Sequence, residues 1–355
     1  MPIPTEPIGS IPRPKALIDG IGEFGAGRLP QLELDRLYEA ALLDTIKQFE
    51  ATGSPVITDG EQTKPSFATY PIHGLKTLAT GGVTIPFADG HTRQLPVITA
   101  GPFRYQTYAD RYLEAARRLT TLPVKQAVIS ASALSLLYPQ AGIPGYSQEA
   151  FVNDLLREHE TDIRRCLDKG AHVVQIDFTE GRLALKLDPS GGLLKQFIAL
   201  NNRVLERFSP AEQRRIGVHT CPGGDRDSTH SADVDYAGLL PHLFQLNTGN
   251  FYLQLSSERD RGRVLRVIKE QAQPHQQLFI GVTDPISSRV ETAEEVKGLV
   301  LEAAAILPID RLGTTDDCGF SPFGDDTSTS RDTAFAKIRA RIDGTRLAAR
   351  ALKFA

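Results

Sequence analysis

The 355-residue chain contains no tryptophan, one methionine and three cysteines. Three is an odd number and far too few for a disulfide scaffold. A reducing, cytoplasmic setting therefore fits, with thiols free to bind metal or do chemistry. Neither charge is in excess: 40 Lys and Arg face 43 Asp and Glu, a formal net charge of -3. No basic stripe with interleaved aromatics is present, so nucleic acid is not an expected partner. No apolar run is long enough to span a membrane. The opening MPIPTEPIGS lacks the basic and apolar regions of a secretory signal. No linker, repeat or low-complexity tract divides the sequence, and a single domain over 1–355 with a sizeable core is expected.

What the chain does have is alternation. Short apolar runs, PVITDG (55–60), VKQAVIS (124–130), AHVVQIDF (171–178), RIGVHTC (215–221), FYLQLSS (251–257), QLFIGVTD (277–284) and RLGTTDDC (311–318), are separated by amphipathic helical stretches. The irregular segment EPIGSIPR (6–13) makes an eighth. One helical stretch, LDRLYEAALLDTIKQFEATG, ends on Gly53, a residue that stops helices. Strands separated by helices pair in parallel, and eight such units predict an α/β fold closed as a (β/α)8 barrel. GGVTIPFADGHTRQLPVITAG (81–101) breaks the pattern and reads as a β-hairpin inserted before the third strand, turning at Asp89-Gly90.

Polar residues gather where these strands run out: Ser10, Asp59, Glu61, Asp177, His219, Cys221, Ser256, Glu258, Asp284 and Cys318. In a barrel those ends converge on one face, where active sites are built. Asp and Ser there also serve as helix caps, but His and Cys are poor caps. His219 and Cys221 are alternate residues of one strand and share a face. One imidazole and two thiolates, with Cys318 as the second, form a ligand set that zinc prefers, leaving a fourth position open for catalysis. Cys166, inside a helical pattern, reads instead as an inert buried thiol.

These segments, in this order, resemble the catalytic C-terminal barrel of the cobalamin-independent methionine synthase family, in a single-barrel form. PIGSIPRP is similar to the family's opening Ile-Gly-Ser segment, and ITDGEQTK to its Gly-Glu element. HVVQIDF is similar to the strand carrying Ile-Asp, VHTC to the H-x-C zinc pair, and DDCGF to the motif holding the last zinc cysteine. The resemblance implies a Zn2+ site of His219, Cys221 and Cys318. It also implies Ile8 and Ser10 against the amino-acid part of a thiol substrate, with Glu61 and Asp177 holding its ammonium group. An alkyl thiol with a pKa near about 8.5 is mostly protonated at neutral pH, and a divalent metal converts it to a nucleophilic thiolate.

Three departures concern the other half of the reaction. The family's glutamate zinc ligand has no direct counterpart in YLQLSSERD. Glu258 either bends back to the metal across a two-residue shift of about 6–7 Å or opens the next helix as an exposed acid. The family's catalytic histidine is replaced by Ile286, and nothing selects among Asp284, Ser287 or a water as the acid, so the catalytic group is unassigned. The pterin-stacking tryptophan is absent, and Phe178-Thr179-Glu180 replaces the usual continuation after the Asp.

The implied activity is zinc-dependent methyl transfer onto a thiol, homocysteine giving methionine, from a methylfolate, methylcorrinoid or other donor. The absent tryptophan and histidine predict weak or absent turnover with methylfolate, and faster turnover with an activated donor such as a methylcorrinoid. Competing readings are an epoxide:coenzyme M transferase-like enzyme and a non-catalytic amino-acid- or metal-binding protein. A small-molecule thiol and a methyl donor are the expected partners, with no membrane; oligomeric state is not legible.

Overall fold

The structure is a computed structural model that describes residues 3–87, 90, 92–221 and 234–353. In chain order, the first strands belong to the insertion. β1 (Leu78–Ala79) pairs antiparallel with β4 (Val97–Ile98), and β2 (Thr84–Pro86) with β3 (Thr92–Gln94). The hairpin expected over 81–101 is thus two short ladders between 78 and 98. Of its expected turn, Asp89 lies outside the described residues, and Gly90 takes the positive φ of 93° that favours glycine.

Six strands follow: β5 (Gln126–Ile129), β6 (Val174–Asp177), β7 (Ile216–Thr220), β8 (Asn250–Leu253), β9 (Gln277–Gly281) and β10 (Leu312–Thr315). They form one parallel sheet in the order β10-β9-β8-β7-β6-β5. Two single bridges extend it, Thr5 to Thr314 at one edge and Ile57 to Val124 at the other. The two outer segments meet where Ile11 N–H donates to the Gly60 carbonyl (3.0 Å) and the Thr58 hydroxyl to the Gly9 carbonyl (2.8 Å). Eight staves therefore close into a (β/α)8 barrel, with the hairpin inserted before the third. The first two staves are bridges rather than ladders because Pro4, Pro7 and Pro55 remove the N–H groups that a ladder requires.

The crossover helices start and stop where side chains cap them. Gln31–Thr52 ends at Gly53, whose φ is 74°. Gln148–Asp168 starts at Ser147, whose hydroxyl accepts from Ala150 N–H. Ala293–Ala304 opens on a reciprocal capping box between Thr292 and Glu295. No helix among the described residues is long and apolar enough to cross a membrane.

Strand alternation decides what faces the barrel interior. Phe251 and Leu253 of β8 join the large apolar cluster between sheet and helices, whereas Tyr252 packs in a separate cluster with Ile8, Val173 and Phe279. Val218 of β7 joins the large cluster, which turns His219 to the interior face. Gly217 and Gly313 leave room for the interior rings: a Cβ at either would collide with Tyr252 or Phe279.

Candidate metal centre and active site

His219 is the penultimate residue of β7, Cys221 follows the strand's last residue, and Cys318 lies three residues beyond β10. Their ligand atoms all lie within 4.8 Å of one another, and all three residues are buried. The imidazole is oriented from behind, with Nδ1 3.3 Å from the Tyr252 carbonyl, so Nδ1–H donates there. Nε2, 3.5 Å from the Cys318 sulfur, then presents its lone pair to the thiols. An oriented imidazole facing two soft sulfurs suits a metal ion, so the trio passes the test of donor chemistry. Without one, burial opposes the charged ring of His219, yet Cys221 and Asp177 outweigh burial and raise its pKa. Burial, then Cys221, pushes the Cys318 thiol well above its ordinary value. Cys166 is buried in its helix away from this trio, as expected of an inert thiol.

The turn that carries Cys318 is pinned on both sides. The Asp317 carboxylate accepts from the backbone N–H groups of Leu255 (3.0 Å), Ser256 (2.9 Å) and Ser257 (2.7 Å), which ties the loop after β8 to the one after β10. Asp316 pairs with Arg341 at 2.8 Å and accepts from the Thr283 hydroxyl. The Ser10 hydroxyl accepts from Ser321 N–H at 3.1 Å, and Gly319 packs so close to it that a Cβ would collide.

Ile8, Ser10, Glu61 and Asp177 line one cavity with His219, Cys221 and Cys318, of about 490 Å³ counted out to its open mouth. Gly60 and Glu61 both adopt left-handed backbone, φ 64° and 56°, which folds the Gly-Glu turn sharply after the second stave. Non-glycine residues rarely hold that conformation, and such strain concentrates at functional sites. Glu61 accepts from Lys64 Nζ at 3.0 Å, and Lys64 also donates to the Ala127 carbonyl. Asp177 ends β6 in register with His219 and accepts from Gln175 Nε2 at 2.8 Å. Burial, then the Glu61 charge, pushes its carboxyl up to about 7. Three buried carboxylates, Asp59, Glu61 and Asp177, face two buried cations, Lys64 and Arg13.

Glu258 does not join the metal trio. Its carboxylate is held by Arg182 (3.2 Å) and Gln254 (2.7 Å). β8 ends at Leu253, so Glu258 lies five residues past the sheet rather than on the strand face that would aim it at the metal. Ser256, Asp284 and Ser287 line a separate surface groove, where Asp284 accepts from Ile286 N–H. None of them lines the thiol cavity.

Several functional groups escaped the sequence reading. A second groove, of about 1830 Å³ empty volume, adjoins the cavity and shares Phe67, Phe87, Thr179 and Phe323 with it. Phe323 stands edge-on to Phe67 and Phe87, with ring centroids 5.5 and 6.2 Å apart. Glu180 lines the same groove. The replacement of the family's residues after Asp177 was the one signal pointing to Glu180; Lys64 and the phenylalanines carried none.

The family described as "Cobalamin-independent synthase, Catalytic domain" matches residues 3–336. The methionine synthase of Saccharolobus solfataricus is 21% identical over 355 residues, covering 99% of this chain and 96% of that relative. The 5-methyltetrahydropteroyltriglutamate–homocysteine methyltransferase of Nitratidesulfovibrio vulgaris is 23% identical, across 96% of this chain and 42% of its own length. Among solved structures, a B12-independent methionine synthase from a Shewanella species, in complex with selenomethionine, superposes with a TM-score of 0.77 at 19% identity, covering 99% of both chains. A second, from Listeria monocytogenes, gives 0.70 at 21% identity over 96% of each. These structures share the barrel fold.

Proposed function

Because the chain belongs to the cobalamin-independent methionine synthase family, we propose that it is a zinc-dependent methyltransferase converting homocysteine to methionine with a methyltetrahydropteroylglutamate donor. The observation that carries this reading is the joining of three chemistries in one space. A nitrogen–sulfur–sulfur trio, a carboxylate pair and an aromatic groove open onto each other.

His219, Cys221 and Cys318 would hold the zinc ion. When bound, it lowers the pKa of the substrate thiol so that sulfur is a thiolate at neutral pH. Glu61 and Asp177 accept charge-assisted hydrogen bonds from the substrate ammonium, which favours the ionised form of Asp177. Lys64 holds Glu61 in place from the side away from the substrate. Ile8 covers the substrate's methylene groups. The Ser10 hydroxyl is engaged by Ser321, so it holds the wall of the cavity as well as lining it. Phe67, Phe87 and Phe323 give a flat donor ring apolar faces at the cavity mouth. The chain's lack of tryptophan therefore does not leave a pterin without a surface, and the expectation of weak or absent methylfolate turnover gives way to methylfolate as donor. The barrel acts as one domain over 1–355, in a reducing cytoplasm where the thiols stay free.

The competing thiols fit less well. Coenzyme M carries a sulfonate and no ammonium, so it leaves Glu61 and Asp177 without a partner and brings an anion beside them. A binding module has no use for a metal trio beside an ammonium clamp. The test is metal analysis of the purified chain, then methionine formation from 5-methyltetrahydropteroyltriglutamate and homocysteine. One zinc per chain and zinc-dependent methionine formation are expected. A zinc-free chain that still forms methionine, or a zinc-loaded chain that forms none, would overturn the reading.

A further inference from the structure

The groove beside the thiol cavity contains a buried acid with one oxygen unclaimed. Glu180 opens the helix Glu180–Leu187, lines the groove and is 5% exposed. Its Oε1 accepts from the Ser130 hydroxyl at 2.5 Å and from the Ser132 hydroxyl. Ser132 is held in turn by Asn201 Nδ2 at 2.7 Å. Oε2 is shielded from water and has no hydrogen-bond partner among the described residues. Because both serines donate into Oε1, a proton on the neutral carboxyl resides on Oε2.

The charged surroundings are sparse. Among the described residues, Asp177, on β6, is the charged group acting on Glu180 when ionised, while the segment after β5 and the helices Ala131–Ser135 and Gly192–Leu205 contribute Ser130, Ser132 and Asn201. Across the groove, Arg93 and Asp325 neutralise each other at 3.0 Å. The groove wall near Glu180 is apolar: Ile129, Ala133, Leu136 and Leu183. Burial therefore pushes the carboxyl up, against the pull of the two serines, to about 7. Such an acid is half protonated at neutral pH, the condition in which general acids work best.

We propose that Glu180 is the general acid of the transfer, delivering the Oε2 proton to the nitrogen that leaves the methyl group. The proposal rests on the methyltransferase reading above. It fills the role that Ile286 cannot. Glu180 is three residues from Asp177, and Thr179 between them lines both cavity and groove, so the acid sits at the junction of the two half-sites. Oε2 meets a seated donor by reorientation of the Glu180 side chain, which already lines the groove. In the step itself the donor nitrogen takes the proton from Oε2. The thiolate sulfur supplies the electron pair of the new S–C bond, and the C–N pair returns to the nitrogen, which departs as a neutral amine. The carboxylate regains a proton from solvent, balancing the one lost by the homocysteine thiol.

The test is Glu180→Gln, which keeps an oxygen to accept from both serines and removes the proton. Turnover of 5-methyltetrahydropteroyltriglutamate with homocysteine is expected to fall about 10²- to 10⁴-fold, the range for losing a general acid. Zinc content and homocysteine affinity should be retained. The wild-type kcat should decline as pH rises through about 7, and the variant should lose that decline. A variant rate within threefold of wild type, or a decline that persists in the variant, would overturn the assignment and leave the methyltransferase reading standing. A wild type that cannot use the folate at all would sink both.

Discussion

Replacing Asp177 by asparagine tests the ammonium clamp with the least disturbance to the fold. The amide oxygen can still accept from Gln175 Nε2, now 2.8 Å from the carboxylate. Burial and the neighbouring Glu61 hold the acid up to about 7, so a neutral amide removes an unfavourable charge from the empty cavity. What the variant loses is one charged hydrogen bond to the substrate, about 1.5–3 kcal/mol. At 1.4 kcal/mol per tenfold, homocysteine should bind about 10- to 150-fold more weakly. Isothermal titration with homocysteine and with 4-mercaptobutanoate, the same thiol without the amino group, reads the effect directly. The second ligand should bind both proteins within about twofold, since it has no ammonium to lose. Zinc content should not change. Equal homocysteine affinity in the two proteins would refute the clamp, and equal weakening of both thiols would point to a distorted cavity.

Cys318→Ser should strip most of the zinc and abolish transfer, because a hydroxyl stays protonated where a thiol ionises; a variant with full metal content by elemental analysis would place the site elsewhere. Asp317→Ala leaves the N–H groups of Leu255, Ser256 and Ser257 without their acceptor. Urea unfolding should show a loss of at least about 2 kcal/mol, and a chelator competition should show weaker zinc binding through the adjoining Cys318; unchanged stability would mean that the tie is not needed. His159 is fully buried, and burial lowers its pKa from 6.5 to about 4. The unfolded chain then takes up more protons between those values, so stability is full above about 6.5 and falls by about 3 kcal/mol as pH drops towards 4. His159→Gln should flatten that slope in denaturant titrations at several pH values; a slope of undiminished size would assign it to other groups.

The barrel was legible because strand and helix periods differ and alternate along the chain. Its first two staves were harder to place, since proline spacing limits them to single bridges and hydrophobic pattern alone does not reveal a missing N–H. The metal trio was legible for a local reason: His219 and Cys221 are two residues apart at a strand end, and β geometry turns them to one side. Glu258 stayed open between metal ligand and helix-opening acid for the corresponding reason. Its placement depends on where β8 stops, and Leu253 ends the strand five residues earlier. Its partner Arg182 lies 76 residues away in sequence. Lys64, the phenylalanine-lined groove and the Asp317 tie depend on contacts between distant segments, which no period encodes.

The same reasoning explains why the acid moved. After β9, the residues that could have supplied one satisfy each other: Asp284 accepts from Ile286 N–H, and Glu291 accepts from Asp284 N–H while pairing with buried Lys337 at 2.9 Å. That loop turns outward to line its own surface groove. After β6 the arrangement is reversed. Asp177 and Thr179 line the thiol cavity, and Thr179 and Glu180 line the donor groove. One strand-to-helix turn thus carries both the carboxylate for the ammonium and the carboxyl for the leaving nitrogen. Burial does most to raise the Glu180 carboxyl, and the Asp177 charge adds to it in the low-dielectric wall between them. A substrate ammonium bound to Asp177 offsets that charge, so filling the thiol half of the site eases proton release from the donor half. The two half-reactions are coupled through three residues of backbone, a consequence of moving the acid from the seventh crossover to the fourth.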